Sequence, residues 1–168
     1  MPDNPSPTAT IVKAGLVAGT LDISAAILDY YISTGRNPLG LLKFVASGVF
    51  GEAAFTGNWT MAAWGLLFHF LIALVFAAIF FVMWPFINKI VTSPVIAGLL
   101  YGLVVWAIMN QLVLPLSQAP ALPFSWPKTF KAMAILMVCI GLPVSIIVSR
   151  YYHSRTVMPA YQTHTATG

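Results

Sequence analysis

Charge is missing from long stretches of this chain. No Asp, Glu, Lys or Arg occurs from Ala53 to Asn88, nor from Ile90 to Pro127. A membrane-spanning helix needs about 20 apolar residues, so each stretch has room for one span and a flanking loop. Two further apolar stretches flank these, and the pattern predicts four spans. The first runs from Ile11 to Ser33 and stops at Gly35-Arg36-Asn37-Pro38, because Gly and Pro end helices. The second runs from Trp59 to Trp84, with the two Trp rings expected at the headgroup levels and Pro85 and Asn88-Lys89 closing it. That separation corresponds to ~37 Å of helix, longer than the apolar layer, so tilt is expected. The third runs from Pro94 to Leu114. The fourth runs from Phe130 to Arg150, with Gly141 and Pro143 as a kink. Pro115, Pro120, Pro123 and Pro127 make the connector between the last two too proline-rich for a helix.

Between the first two spans, Pro38 to Phe55 is moderately apolar but carries Lys43 and Glu52. Asn37-Pro38 reads as a cap followed by a first-turn proline. The expected fold is therefore an all-α membrane protein with four transmembrane helices plus a short interfacial or re-entrant helix. By segments, residues 1–10 are a polar N-terminal stretch, 11–152 the transmembrane four-helix domain, and 153–168 a disordered tail. Asp22 and Asp29 interrupt the first apolar stretch, which argues against a cleavable signal.

Composition agrees. Of 168 residues, 59% are hydrophobic and 7% charged, against about 25% charged in soluble domains. Lipid is the solvent, and the bilayer the first partner, that such a chain fits. The net charge of +4 does not point to nucleic acid, because the basic residues are scattered singly and no patch forms. An even span count puts both termini on one side. Lys13, Lys89, Arg150 and Arg155 fall on the terminal side, and Arg36, Lys43, Lys128 and Lys131 on the other. Discounting Lys43, if its helix dips into the membrane, tips the balance toward cytoplasmic termini.

Candidate chemistry lies on small-residue faces. Gly15, Gly19, Asp22, Ala26 and Asp29 recur at spacings of four and three and share one helical face. Small residues let membrane helices approach closely, and carboxylates avoid lipid, so both rules turn this face inward. Ala62, Gly65, His69, Ala73 and Ala77 form a matching face on the second span. Asp22 and His69 fall at similar depth on antiparallel helices and are the candidate intramembrane polar pair. They read either as a proton-responsive pair or as structural glue. Asp29 with Lys128 and Lys131 forms a candidate ion-pair cluster at the other end. Gly98 and Gly102 mark a packing face on the third span, as Gly15 and Gly19 do on the first. Cys139 is alone, with no second cysteine for a disulfide or zinc site. No phosphate loop, nucleophile elbow or His-Glu-x-x-His is present, so no catalytic, cofactor-binding or metal-ligating residues are expected, and no enzyme.

Four segments, in order, carry a likeness to a known family. They are Ala14-Gly15-Leu16-Val17-Ala18-Gly19; His69 with Phe76 and Ala77 after it; Gly98-Leu99-Leu100-Tyr101-Gly102 leading to Asn110 and Leu114-Pro115-Leu116; and Pro120-Ala121-Leu122-Pro123-Phe124-Ser125-Trp126. In these the chain resembles the YagU-like family of small bacterial inner-membrane proteins, with a shorter segment between the first two spans. The resemblance implies a bacterial inner-membrane location and supplies no mechanism. Two function classes stay open: a pH- or ion-responsive membrane component built on Asp22, His69 and Asp29, and a structural or assembly subunit whose glycine faces bind a second copy or another membrane protein.

Overall fold

A computed structural model describes residues 6–121 and 123–165, with side chains through residue 155. The described residues form helices and connecting turns. They are α1 (Pro7–Thr34), α2 (Leu39–Phe50), α3 (Ala53–Thr56), α4 (Trp59–Ile90), α5 (Pro94–Ile108), α6 (Leu114–Leu116), α7 (Trp126–Leu136) and α8 (Leu142–Thr165). A π-helical turn, Met109–Val113, joins α5 to α6, and another, Met137–Gly141, joins α7 to α8. Four rods are therefore long and apolar enough to span a bilayer: Pro7–Thr34, Trp59–Ile90, Pro94–Leu116 and Trp126–Arg155. The chain is an integral membrane protein by this measure, and α2 is the shorter apolar helix expected between the first two spans.

Local chemistry explains most ends. The Ser6 hydroxyl accepts from the Ala9 amide at 3.1 Å and starts α1, so residues 7–10 belong to the helix and not to a separate polar segment. Gly35 ends α1 in the left-handed region (φ 64°), donating its amide to the Tyr31 carbonyl at 2.8 Å. Such a cap suits glycine, which lacks the Cβ penalty there. The Asn37 carboxamide oxygen accepts from the Leu39 amide at 3.0 Å, and that of Asn58 accepts from Thr60 at 3.1 Å. At the other terminus α8 continues to Thr165. The disordered tail expected from His153 is thus helical to that residue, since extending an existing helix costs far less than nucleating one; residues 166–168 lie outside the described region.

Pro85, Pro115 and Pro143 sit within helical rods, and the fold accommodates them in two ways. Pro115 and Pro143 each follow a π-helical turn at a spacing of two residues. A proline ring collides with the carbonyl four residues back and removes one hydrogen bond. Widening the preceding turn relieves both problems, as membrane helices commonly do. The kink expected at Gly141-Pro143 takes this form. Pro85 is handled differently, and it corrects the expected end of the second span: α4 runs through Pro85 to Ile90. Pro85 has no amide for the Phe81 carbonyl. The Tyr152 hydroxyl of α8 donates to that oxygen instead, at 3.1 Å. Trp84, beside Pro85, lies in the core at 4% exposure.

This compensation makes a prediction. Tyr152→Phe should lower stability by about 0.6 kcal/mol, the average for hydrogen bonds between membrane helices. In a Pro85→Ala background, where the helix can satisfy Phe81 itself, the same change should cost clearly less. A double-mutant cycle read by denaturant unfolding in micelles checks this; equal costs in both backgrounds would contradict it.

The rods do not pack in sequence order. α1 packs against both α4 and the α7–α8 rod, and α5 packs closely on that rod and meets α4 through side chains, with the Tyr101 hydroxyl donating to the Phe76 carbonyl at 2.7 Å. α2 lies along the first turns of α4, on the side opposite the chain termini. The interior is built from small residues and rings. Ala14, Ala18, Ala77, Ala97, Val144 and Val148 surround Phe76, Phe80, Phe81, Trp84, Tyr101 and Tyr151. Bulkier aliphatics such as Leu16, Leu21, Leu28, Leu67, Leu71 and Val82 are exposed. That arrangement suits lipid, where large apolar side chains gain nothing by hiding and small ones let backbones meet.

Candidate functional site

Backbone proximity sets up the polar joint between α1 and α4. The small face of α1 is buried at Ala14, Gly15, Ala18 and Gly19, and that of α4 at Ala62, Gly65, Ala73 and Ala77. A Cβ on Gly15 would lie 3.0 Å from the Leu74 Cα, and one on Gly19 would lie 2.9 Å from the Phe70 ring and 3.2 Å from the Ala73 Cβ. Because Gly19 carries no side chain, its carbonyl stays within reach of α4. His69 Nε2 lies 2.8 Å from that oxygen. A carbonyl can only accept, so Nε2 carries the proton and Nδ1 is left to accept or to take a second one.

Asp22 lies one turn further along α1, half-buried. It is within electrostatic range of His69 on α4 and of Cys139 in the Met137–Gly141 turn. No hydrogen bond joins Asp22 to His69. The imidazole is turned to the main chain of Gly19 instead, because the glycine contact brings that oxygen closer than a side chain one turn away. The candidate pair is thus brought into one neighbourhood without a direct hydrogen bond, and His69 is anchored on the main chain. Among the described residues no three of His, Cys, Asp or Glu converge in a way that could hold a metal ion.

At the other end of α1, Lys131 forms an ion pair with Asp29. Ser33 completes the group: its hydroxyl accepts from Lys131 Nζ at 3.2 Å and donates to Asp29 Oδ1 at 3.4 Å. Lys128 is not part of it. It is exposed and makes no ion pair among the described residues, since it sits about 4.5 Å nearer the start of α7 at helical rise. Both charged partners are substantially exposed, at 45% and 34%. A pair of this kind contributes about 0–1 kcal/mol, so it ties α7 to α1 only weakly. Lys43 on α2 reaches the carbonyl of Gly57, the cap of α3, at 2.6 Å and ties the end of α3 back to α2.

Gly98 and Gly102 meet the α7–α8 rod main chain to main chain. A Cβ on Gly98 would lie 2.7 Å from the Gly141 carbonyl oxygen, and one on Gly102 would strike Met137 Cα and lie 2.7 Å from the Leu136 carbonyl oxygen. Gly141 in turn faces the Gly98 carbonyl. Sequence reasoning took Gly141 for a kink and missed it as the opposite half of this contact; a glycine one turn from a facing Gly-x-x-x-Gly could have signalled it. Asn110 is exposed and donates to the Trp106 carbonyl at 2.9 Å within its own rod. Cys139 is half-buried and not in a disulfide. Comparison with protein families, with curated proteins and with solved structures found no match.

Proposed function

We propose that this integral membrane protein is a proton-responsive, non-enzymatic component of a bacterial inner membrane, with Asp22 and His69 as the responsive element. One observation carries the reading: two ionisable side chains in the bodies of different spanning helices lie near each other where the imidazole already clasps the Gly19 main chain. Ionisable groups at such depth are expensive and are most often retained for function. With Nε2–H held on the Gly19 oxygen, a proton from water would add at Nδ1. Loss of that proton would return the neutral ring. Each change alters the attraction between α1 and α4 at a joint whose glycine contacts leave no slack. Packed interfaces of this kind shift between discrete arrangements and do not deform smoothly.

The alternative of an assembly subunit rested on glycine faces. Gly15, Gly19, Gly98 and Gly102 all meet helices of the same chain, so these faces are not left for a partner. The YagU-like resemblance supports the inner-membrane location. Orientation with cytoplasmic termini is supported by Lys43, whose ammonium is bound to the Gly57 carbonyl; setting it aside leaves four basic residues on the terminal side against Arg36, Lys128 and Lys131.

The test is a proton-flux and spin-label distance measurement in proteoliposomes between pH 5 and 8, where an unperturbed imidazole changes charge. The α1–α4 separation, or the flux, should respond to pH in the native chain. Asp22→Asn and His69→Gln should each flatten the response. A response of equal size in both variants, or none in the native chain, would remove the reading.

A further inference from the structure

We propose that the cavity at the terminal end of the bundle binds the phosphate of an anionic phospholipid headgroup. The cavity measures about 560 Å³ and lies where the end of α4, the start of α5 and α8 come together. Its wall includes Asn88 and Thr92 on one side and Arg150 and His153 on the other, with Trp84 beneath. The exposed side chain of Arg150 forms no hydrogen bond or ion pair with the described residues, and the same is true of the side chains of Asn88 and Thr92. A guanidinium, a carboxamide and a hydroxyl thus face one space with donors to spare. A phosphate presents several acceptor oxygens and matches a guanidinium in two-point geometry.

The electrostatics have one sign. Helix order brings Lys89 and Arg155 to this end as well, and none of Asp22, Asp29 and Glu52, the carboxylates of the described residues, lies there. The cavity wall includes Pro94, the first residue of α5, so the positive end of that helix faces the same space. Basic pockets between membrane helices are a known way to hold lipid headgroups. Place in the fold favours a lipid over free phosphate. The cavity sits at the ends of spanning helices, and an apolar groove of about 450 Å³ between α4 and α5 begins at the same corner, at Ile90 and Val91, and runs inward to Phe76 and Ile108.

The experiment uses the full chain in detergent, with bound lipid counted by native mass spectrometry against added phosphatidylglycerol, phosphatidylcholine or inorganic phosphate. Phosphatidylglycerol should bind about tenfold more tightly than phosphatidylcholine, a ratio that corresponds to one charge-assisted contact. Arg150→Gln should abolish that ratio and Thr92→Val should reduce it, while Lys13→Gln, outside the cavity, should leave it unchanged. Displacement of the lipid by millimolar inorganic phosphate would support the phosphate site and assign it to the free anion. Equal binding of the two lipids, an unchanged ratio in both cavity variants, or an equal loss in Lys13→Gln would overturn the proposal.

Discussion

Gly141→Ala should cost about 3 kcal/mol or more and leave little folded protein in mild detergent. The new Cβ would land on the Gly98 carbonyl oxygen, with the Gly98 carbonyl carbon 2.9 Å away and the Gly102 amide nitrogen 3.0 Å away. All three are main-chain atoms and cannot rotate aside as a side chain could. Relief requires α5 to move off the α7–α8 rod, which opens the contacts at Gly98 and Gly102 together. Alanine is favoured over glycine by about 1 kcal/mol in a helix, but overpacking of a closed contact costs about 1–3 kcal/mol and sometimes more, so the steric effect wins. Gly48→Ala is the internal control. Its nearest neighbour would be the Ser117 Cβ at 3.6 Å, ordinary contact, and stability should stay within about 0.5 kcal/mol of the native chain. Chemical unfolding in micelles measures both; similar losses for the two would contradict the packing described.

Gly65→Ala should be nearly as severe but local, at about 2–3 kcal/mol. Its Cβ would meet the Leu42 carbonyl, with the Leu42 carbon 2.7 Å and the Ala46 amide nitrogen 3.2 Å away. α2 is seated on α4 at this point, with Phe50 packed against Trp64 and Phe68 beside it. The four spans do not depend on that seat, so α2 should lift while the bundle stays folded. Ser47 reports this directly, because it is fully buried in α2. A cysteine at position 47 should resist maleimide in the native background and react readily beside Gly65→Ala. Equal protection in both would show that α2 does not rest on Gly65.

The four spans were legible because lipid imposes a coarse rule: the uncharged stretches from Ala53 to Asn88 and from Ile90 to Pro127 each contain one. The glycine faces were legible from spacing: Gly15, Gly19, Gly65, Ala73 and Ala77 are buried, whereas Asp22, Ala26, Asp29 and His69 on the same stripes are only partly so. What escaped involves atoms or partners that sequence spacing does not reveal. The main-chain oxygen that holds His69 belongs to Gly19, and a carbonyl leaves no mark in the side-chain pattern. Pro85 looked like a helix end because its remedy, Tyr152, lies on another rod. Lys128 and Lys131 looked equivalent as candidates for Asp29, and only the axial position of α7 separates them. The cavity around Arg150 needs residues from α4, α5 and α8 at once.

A double-mutant cycle at Asp22 and His69 tests most directly whether these residues act as a unit. Glutamine at position 69 keeps an N–H donor for the Gly19 carbonyl while removing the titratable ring, and asparagine at position 22 removes only the charge. Stability should be measured for the native chain, Asp22→Asn, His69→Gln and the double variant, all in the same micelles near pH 7. An electrostatic pair predicts non-additivity of about 0.6 kcal/mol or more, the double change costing less than the sum. Strict additivity would mean that the two groups share a neighbourhood without sharing charge, and the proton-responsive joint between α1 and α4 would be contradicted.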